Sequence, residues 1–119
     1  MSERKAGAAR GRAVQGLVRK VHSAMTTIMD PATPQIDLFN MGMIYDVRVD
    51  EDNHVTVDLA FSSPGLPGNL ELPGRVAATV REIEGVSDCT VKVVEDPPWS
   101  MDRVSDYARI HLSVVGGSD

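Results

Sequence analysis

One cysteine, Cys89, occurs in 119 residues. An internal disulfide is therefore excluded, and so are a CxxC pair and the paired spacings of a zinc site. Such a chain suits a reducing compartment, and the expected localisation is cytoplasmic. Long apolar runs are also missing. No stretch approaches the roughly 18 apolar residues of a membrane span, and the basic start of the chain is not followed by an apolar segment. The expectation is a soluble protein with no membrane partner.

Basic charge is scarce after the first twenty residues. Residues 1–20 hold six basic residues against one acidic, whereas residues 21–119 hold six basic against sixteen acidic. An acidic body repels phosphate backbones, so nucleic-acid binding would have to rest on Arg4, Lys5, Arg10 and Arg12 alone. Those residues read instead as a solvated basic leader, and no nucleic-acid partner is expected. The three histidines, His22, His54 and His111, are scattered without a second ligand at metal spacing, so no histidine metal site is expected. No nucleophile lies in a recognisable strand-nucleophile-helix motif, and no internal repeat is present.

What is present suits a single small domain. Hydrophobic residues make up 42% of the chain, and a chain of this length buries roughly two-thirds of its unfolded surface, enough to fold without a staple. Residues 1–12 lack large apolar side chains after Met1 and predict a flexible basic leader. The domain proper is expected over 13–115, with 116–119 as a tail.

Val14, Leu17, Val18, Val21, Met25 and Ile28 recur at helical spacing and predict a first helix from Ala13 to Met29. Pro31 and Pro34 stop it, and residues 30–43 read as a loop. Ile44–Val49 and Val55–Phe61 read as an antiparallel hairpin. The run SSPGLPGN, residues 62–69, then makes a sharp strand-to-helix loop. A second helix begins near Leu72 or Pro73, carries Val76, Val80 and Ile83, and closes at Gly85.

A third strand, Val86–Val94, ends at Asp96-Pro97-Pro98. Ser100 is placed to cap a third helix carrying Met101, Val104, Ala108 and Leu112. The order helix-strand-strand-helix-strand-helix contains a crossover unit, which favours a parallel pair. The fold class is therefore α/β (α+β), with a small mixed three-stranded sheet packed with helices.

Three segments, MDPATPQIDLFNMGMIYDVRV, SSPGLPGN and VEDPPWSMDRVSDYARIHL, together resemble the PaaD/SufT-like family of iron-sulfur cluster assembly proteins, across about residues 14 to 113. The resemblance implies an iron-sulfur-assembly-type domain. It also implies an accessory part in maturing iron-sulfur proteins through protein partners, an assembly complex or a client metalloprotein. Members of that family typically read Asp-Pro-Glu where this chain has Asp30-Pro31-Ala32. They typically read Thr-x-Thr and then Pro-Gly-Cys-Pro where it has Ala60 to Pro67. The cysteine position is taken by Leu66, which can ligate nothing, so no cofactor and no metal bound by the chain alone are expected. Cys89, inside a strand, reads as a small buried hydrophobe.

The candidate binding residues are Ser62, Ser63, Gly65 and Leu66, whose loop precedes a helix and offers free amides to an anionic group, or serves only as a connection. Trp99 and Tyr107 either stack on a ligand or partner or fix the last helix. Asp30 is either the carboxylate of a helix-stop turn or, in an alternative reading, a catalytic residue. In that alternative the family fold has been turned to a small organic ligand, with Asp30 as general acid or base beside an apolar loop. Whether the chain is an enzyme stays open at this point. An exposed sheet edge in so small a domain also leaves a homodimer open.

Overall fold

Leu17, Val21 and Met25 fall on one side of the first helix, α1 (Glu3–Met25), and all three are buried. The computed structural model describes residues 3–116. The helix begins ten residues before the expected Ala13, so that residues 3–12, expected as a leader, form its first turns. Ala and Arg are strong helix formers and carry the helix through Gly7 and Gly11. Arg10 fastens this early stretch to the body, donating to Asn53 Oδ1 at 2.8 Å and also to the Asp50 carbonyl. Met1 and Ser2 of the expected leader lie outside the described residues, as does most of the expected tail, 117–119.

Residues 30–43, expected as a loop, hold a small antiparallel ribbon. Strand β1 (Met29–Asp30) pairs with β2 (Thr33–Asp37). Pro34 is tolerated there because a two-stranded ribbon has free edges on which a missing amide costs nothing.

The main sheet follows the expected hairpin and crossover. β3 (Ile44–Val49) pairs antiparallel with β4 (His54–Leu59), and β4 pairs parallel with β5 (Asp88–Val93). The β3–β4 turn is held by Asp50, whose Oδ1 accepts from the amides of Asp52 and His54. Val55, Val57 and Leu59 are fully buried, and their register partners on β5 are Cys89, Val91 and Val93. The other face of the sheet is polar and carries Asp46, Arg48, Thr56, Asp58, Thr90 and Lys92, as the period-two alternation dictates.

The crossover helix α2 (Leu72–Arg81) has Pro73 in its first turn and buries Leu72, Val76, Ala77 and Val80. Each of the three larger side chains contributes about 1.5–3 kcal/mol by leaving water. Gly85, at φ +98°, makes the turn into β5.

The last helix differs from expectation. Met101–Arg103 form a single 3₁₀ turn, Val104 is extended, and α3 runs only from Asp106 to Gly116. Ser100 makes no side-chain cap bond. Ser105 does that work instead, with its Oγ accepting from the Ala108 amide at 3.1 Å. The chain breaks at this point because Ser105 is held from outside: its amide donates to the Asn40 carbonyl and its hydroxyl to Asn40 Oδ1. Asn40 is in turn fixed by both oxygens of the buried Asp37.

Candidate functional site

β4 and β5 run parallel, so their carboxyl ends lie side by side, and the segments leaving them, 60–70 and 94–99, meet there. In α/β folds this end of the sheet is where crevices form. Two adjoining grooves occupy it. One, of about 320 Å³, is lined by Ala60, Phe61, Ser62, Pro64, Val94, Glu95, Pro98 and Trp99. The other, of about 510 Å³, lies against Phe61, Gly65, Leu66, Pro67, Asn69, Leu70 and Pro73. Phe61 is the wall common to both.

The loop is tied down from beneath. Asp30 is 1% exposed, and its carboxylate is fully engaged. Oδ1 accepts from the Ala32 amide at 3.0 Å, closing the β1–β2 turn, and Oδ2 accepts from the Ser62 hydroxyl at 2.6 Å. Asn69, also buried, donates from Nδ2 to the Ser63 carbonyl at 2.8 Å. Gly65 turns the chain at φ +85°. Gly68 lies so near the β1–β2 turn that a Cβ there would come within 3.0 Å of Pro31 Cβ. The side opposite these ties is apolar and open, and Leu70 is 86% exposed.

The second wall is equally fixed. The Trp99 indole donates from Nε1 to the Met41 carbonyl at 2.6 Å, and the Tyr45 hydroxyl donates to the Pro97 carbonyl at 2.8 Å. The Arg103 guanidinium lies 3.8 Å from the Tyr45 ring centroid, where the ring face attracts a cation.

These positions distribute the residues singled out from the sequence. Ser62 and Trp99 share the first groove, while Gly65 and Leu66 line the second. Ser63 lines neither and contributes its carbonyl to Asn69. Asp30 lines neither groove. Tyr107 lies apart on α3, 65% exposed and stacked on His111. Reading by residue type passed over Phe61, Asn69, Leu70 and Glu95. A signal for Leu70 existed in the sequence: an unpaired leucine among loop-forming residues, outside the stripe of α2.

The set of groups available to a metal is poor at this site. Cys89 is buried on β5 opposite Val55, four residues before the end of the pairing at Leu59 and Val93, and so about 13 Å from the loop. Burial pushes its thiol up to about 11, with the nearby Arg81 offsetting part of that rise. Among the described residues no three His, Cys, Asp or Glu side chains gather as a metal site. The loop itself carries Leu66, whose side chain has no ligand atom.

Comparison with known proteins shows the family and the fold. The model of the family described as "Iron-sulfur cluster assembly protein" matches residues 19–93. The Fe-S protein maturation auxiliary factor SufT of Staphylococcus aureus is 37% identical over 87 residues, covering 73% of this chain and 98% of that protein. The auxiliary factor YitW of Bacillus subtilis is 30% identical over 100 residues, 84% of this chain and 97% of its own. Among solved structures, a domain of unknown function from Bacillus anthracis superposes with a TM-score of 0.81 at 28% identity, covering 87% of this chain and 98% of that one. A conserved hypothetical protein from Thermotoga maritima gives 0.66 at 27% identity, covering 77% and 89%. Fold and sequence agree, and the chain belongs to the iron-sulfur cluster assembly protein family.

Proposed function

We propose that this protein is an auxiliary factor in the maturation of iron-sulfur proteins, and that it acts by docking on a protein partner rather than by ligating metal itself. The partner is a component of an assembly complex or a client metalloprotein. The observation that carries this reading is the open apolar face formed by Phe61, Leu66 and Leu70, braced from below by the Asp30–Ser62 and Asn69–Ser63 bonds. A rigid, exposed apolar surface loses little side-chain entropy on association, which favours binding a protein. The names of the relatives, all maturation auxiliary factors, support the same role. The alignments span 86–98% of the matched proteins' own lengths, so the role does not depend on a further domain of theirs. Action in the cytoplasm fits this reading, and no helix among the described residues is long and apolar enough to cross a membrane.

Asp30 serves in this reading as the post under the loop. Its two oxygens are already occupied and it faces neither groove, so a proton-transfer role would need the loop to come apart first.

Leu70→Glu tests the proposal. The side chain is mostly exposed, so the thermal midpoint should move little. In cells depending on this gene, the activity of iron-sulfur enzymes should fall to that of the deletion. Full complementation by Leu70→Glu, together with Phe61→Ala, would remove the docking face from consideration.

A further inference from the structure

The first groove differs from the second in one respect: it carries a charge. Of its eight lining residues, seven are uncharged and the eighth is Glu95. Among the described residues Glu95 makes no ion pair; the three pairs are Arg48 with Asp46, Arg48 with Asp58, and Arg81 with Asp88. The same groove is lined by two aromatic rings, Phe61 and Trp99, and the second is locked in place by its bond to the Met41 carbonyl. Apolar walls, a fixed indole and one free carboxylate at the rim make a complementary surround for a side chain with an alkyl stem and a cationic head. The stem packs on Pro64, Val94 and Pro98, the head lies near an aromatic face, and the carboxylate pairs with it. Residues 21–119 are strongly acidic, which adds a long-range attraction for a basic segment. The volume, about 320 Å³, lies at the low end of the range of about 300–1,000 Å³ seen for ligand sites. A bound side chain suits it better than a large cofactor.

We propose that the groove between Phe61, Glu95 and Trp99 receives an arginine or lysine side chain of the partner protein, with an adjoining apolar residue of that partner seated over Leu66 and Leu70. This inference rests on the docking role proposed above and specifies what the docking face recognises. An acidic or neutral segment gains nothing from Glu95, and an anionic one is repelled by it. The occupant is therefore a basic-apolar segment of a foreign protein.

Trp99 is the only tryptophan in the chain, so its fluorescence reports on this groove alone. The probes are three blocked tripeptides, acetyl-Leu-Arg-Leu-amide and its citrulline and glutamate counterparts. The arginine peptide should shift the emission in a saturable manner, and Glu95→Gln should weaken it by about tenfold, as expected for loss of a cation's carboxylate partner beside an aromatic face. The citrulline peptide should bind the wild type and Glu95→Gln alike. Equal binding of all three peptides, or an undiminished arginine response in Glu95→Gln, would overturn the inference. So would a dimer in sedimentation that dissociates in Glu95→Gln, because the basic side chain would then belong to a second copy of this chain. Complementation separates the two levels of the argument. If Leu70→Glu abolishes client maturation and Glu95→Gln does not, docking stands and the basic occupant falls. If both abolish it, both stand, and if neither does, the docking face falls with its occupant.

Discussion

The Ser62 hydroxyl donates to Asp30 Oδ2 at 2.6 Å across 32 residues of sequence, joining the loop after β4 to the end of β1. Asp30 is buried, so this bond and the Ala32 amide are what compensate its carboxylate for lost water. Asp30→Asn should lower stability by about 1.5–3 kcal/mol, the range for hydrogen bonds to a charged group. Ser62→Ala, which orphans one buried oxygen, should cost about 1–3 kcal/mol. The double variant should cost less than the sum, because both remove one bond. Urea denaturation of the four proteins checks this. An unchanged midpoint in Asp30→Asn, with a functional loss, would reinstate Asp30 as an acid-base group.

Two glycines with the same backbone requirement should respond very differently to alanine. Gly42 has φ +70°, and a Cβ there would sit 2.2 Å from the Arg103 carbonyl oxygen. Gly65 has φ +85° with nothing within 4 Å. Gly65→Ala should cost about 1 kcal/mol from backbone strain alone. Gly42→Ala must in addition push away the 3₁₀ turn that precedes α3, and should cost about 3 kcal/mol or more. Thermal midpoints of the two variants give the comparison, and similar losses would mean that the loop around Gly42 yields freely.

The thiol of Cys89 should be inert in the folded protein. It is 2% exposed and pushed up to about 11 by burial, which leaves about a hundredfold less thiolate at neutral pH than an exposed cysteine carries. Labelling by a disulfide reagent should be slow in buffer and complete in guanidinium. Wild type incubated anaerobically with ferrous iron and sulfide should stay colourless after desalting, and Cys89→Ser should behave identically. Leu66→Cys, which places a thiol on the accessible loop, should by contrast be labelled quickly in buffer. A coloured wild type whose colour disappears in Cys89→Ser would mean that the buried strand opens to metal.

Much of this molecule is written in local pattern. Val55, Val57 and Leu59 alternate with polar residues, and Leu72, Val76 and Val80 recur at helical spacing, so sheet and crossover helix follow from periodicity. The parts hidden from the sequence depend on distant partners. Nothing near Arg10 says that it will find Asn53 and Asp50, so the helical start of α1 looks like a leader. Met101, Val104 and Ala108 have helical spacing, yet Asn40 holds Ser105 and interrupts the run. Pro31 and Pro34 conceal a ribbon short enough to tolerate them. At the site, Ser62, Gly65, Leu66 and Trp99 were legible by residue type. Glu95 was not, because a glutamate at a strand end has no local sign that it will line a groove with Trp99.

The polar face of the sheet should leave its mark on acid stability. Arg48 donates to both oxygens of Asp58 at 2.9 Å and reaches Asp46 at 2.7 Å. The Arg48 hydrogen bonds hold the Asp58 carboxyl below the usual aspartate range; its burial opposes this in part, and the charges of Arg48 and Lys92 assist. A carboxylate depressed in the folded state stabilises fully above its unfolded value, about 3.9, and that contribution is lost as pH falls through the folded value. Because the Arg48 side chain is 45% exposed and that of Asp58 20%, solvent screens the pair and the effect is modest. Asp58→Asn should therefore lower the urea midpoint slightly at neutral pH, and the gap to wild type should close only as the pH falls through the depressed folded-state value of Asp58, below which both forms carry an uncharged group. Raising the salt concentration at neutral pH should narrow the same gap. A gap of equal size at neutral and acid pH would assign the loss to packing on β4 rather than to charge.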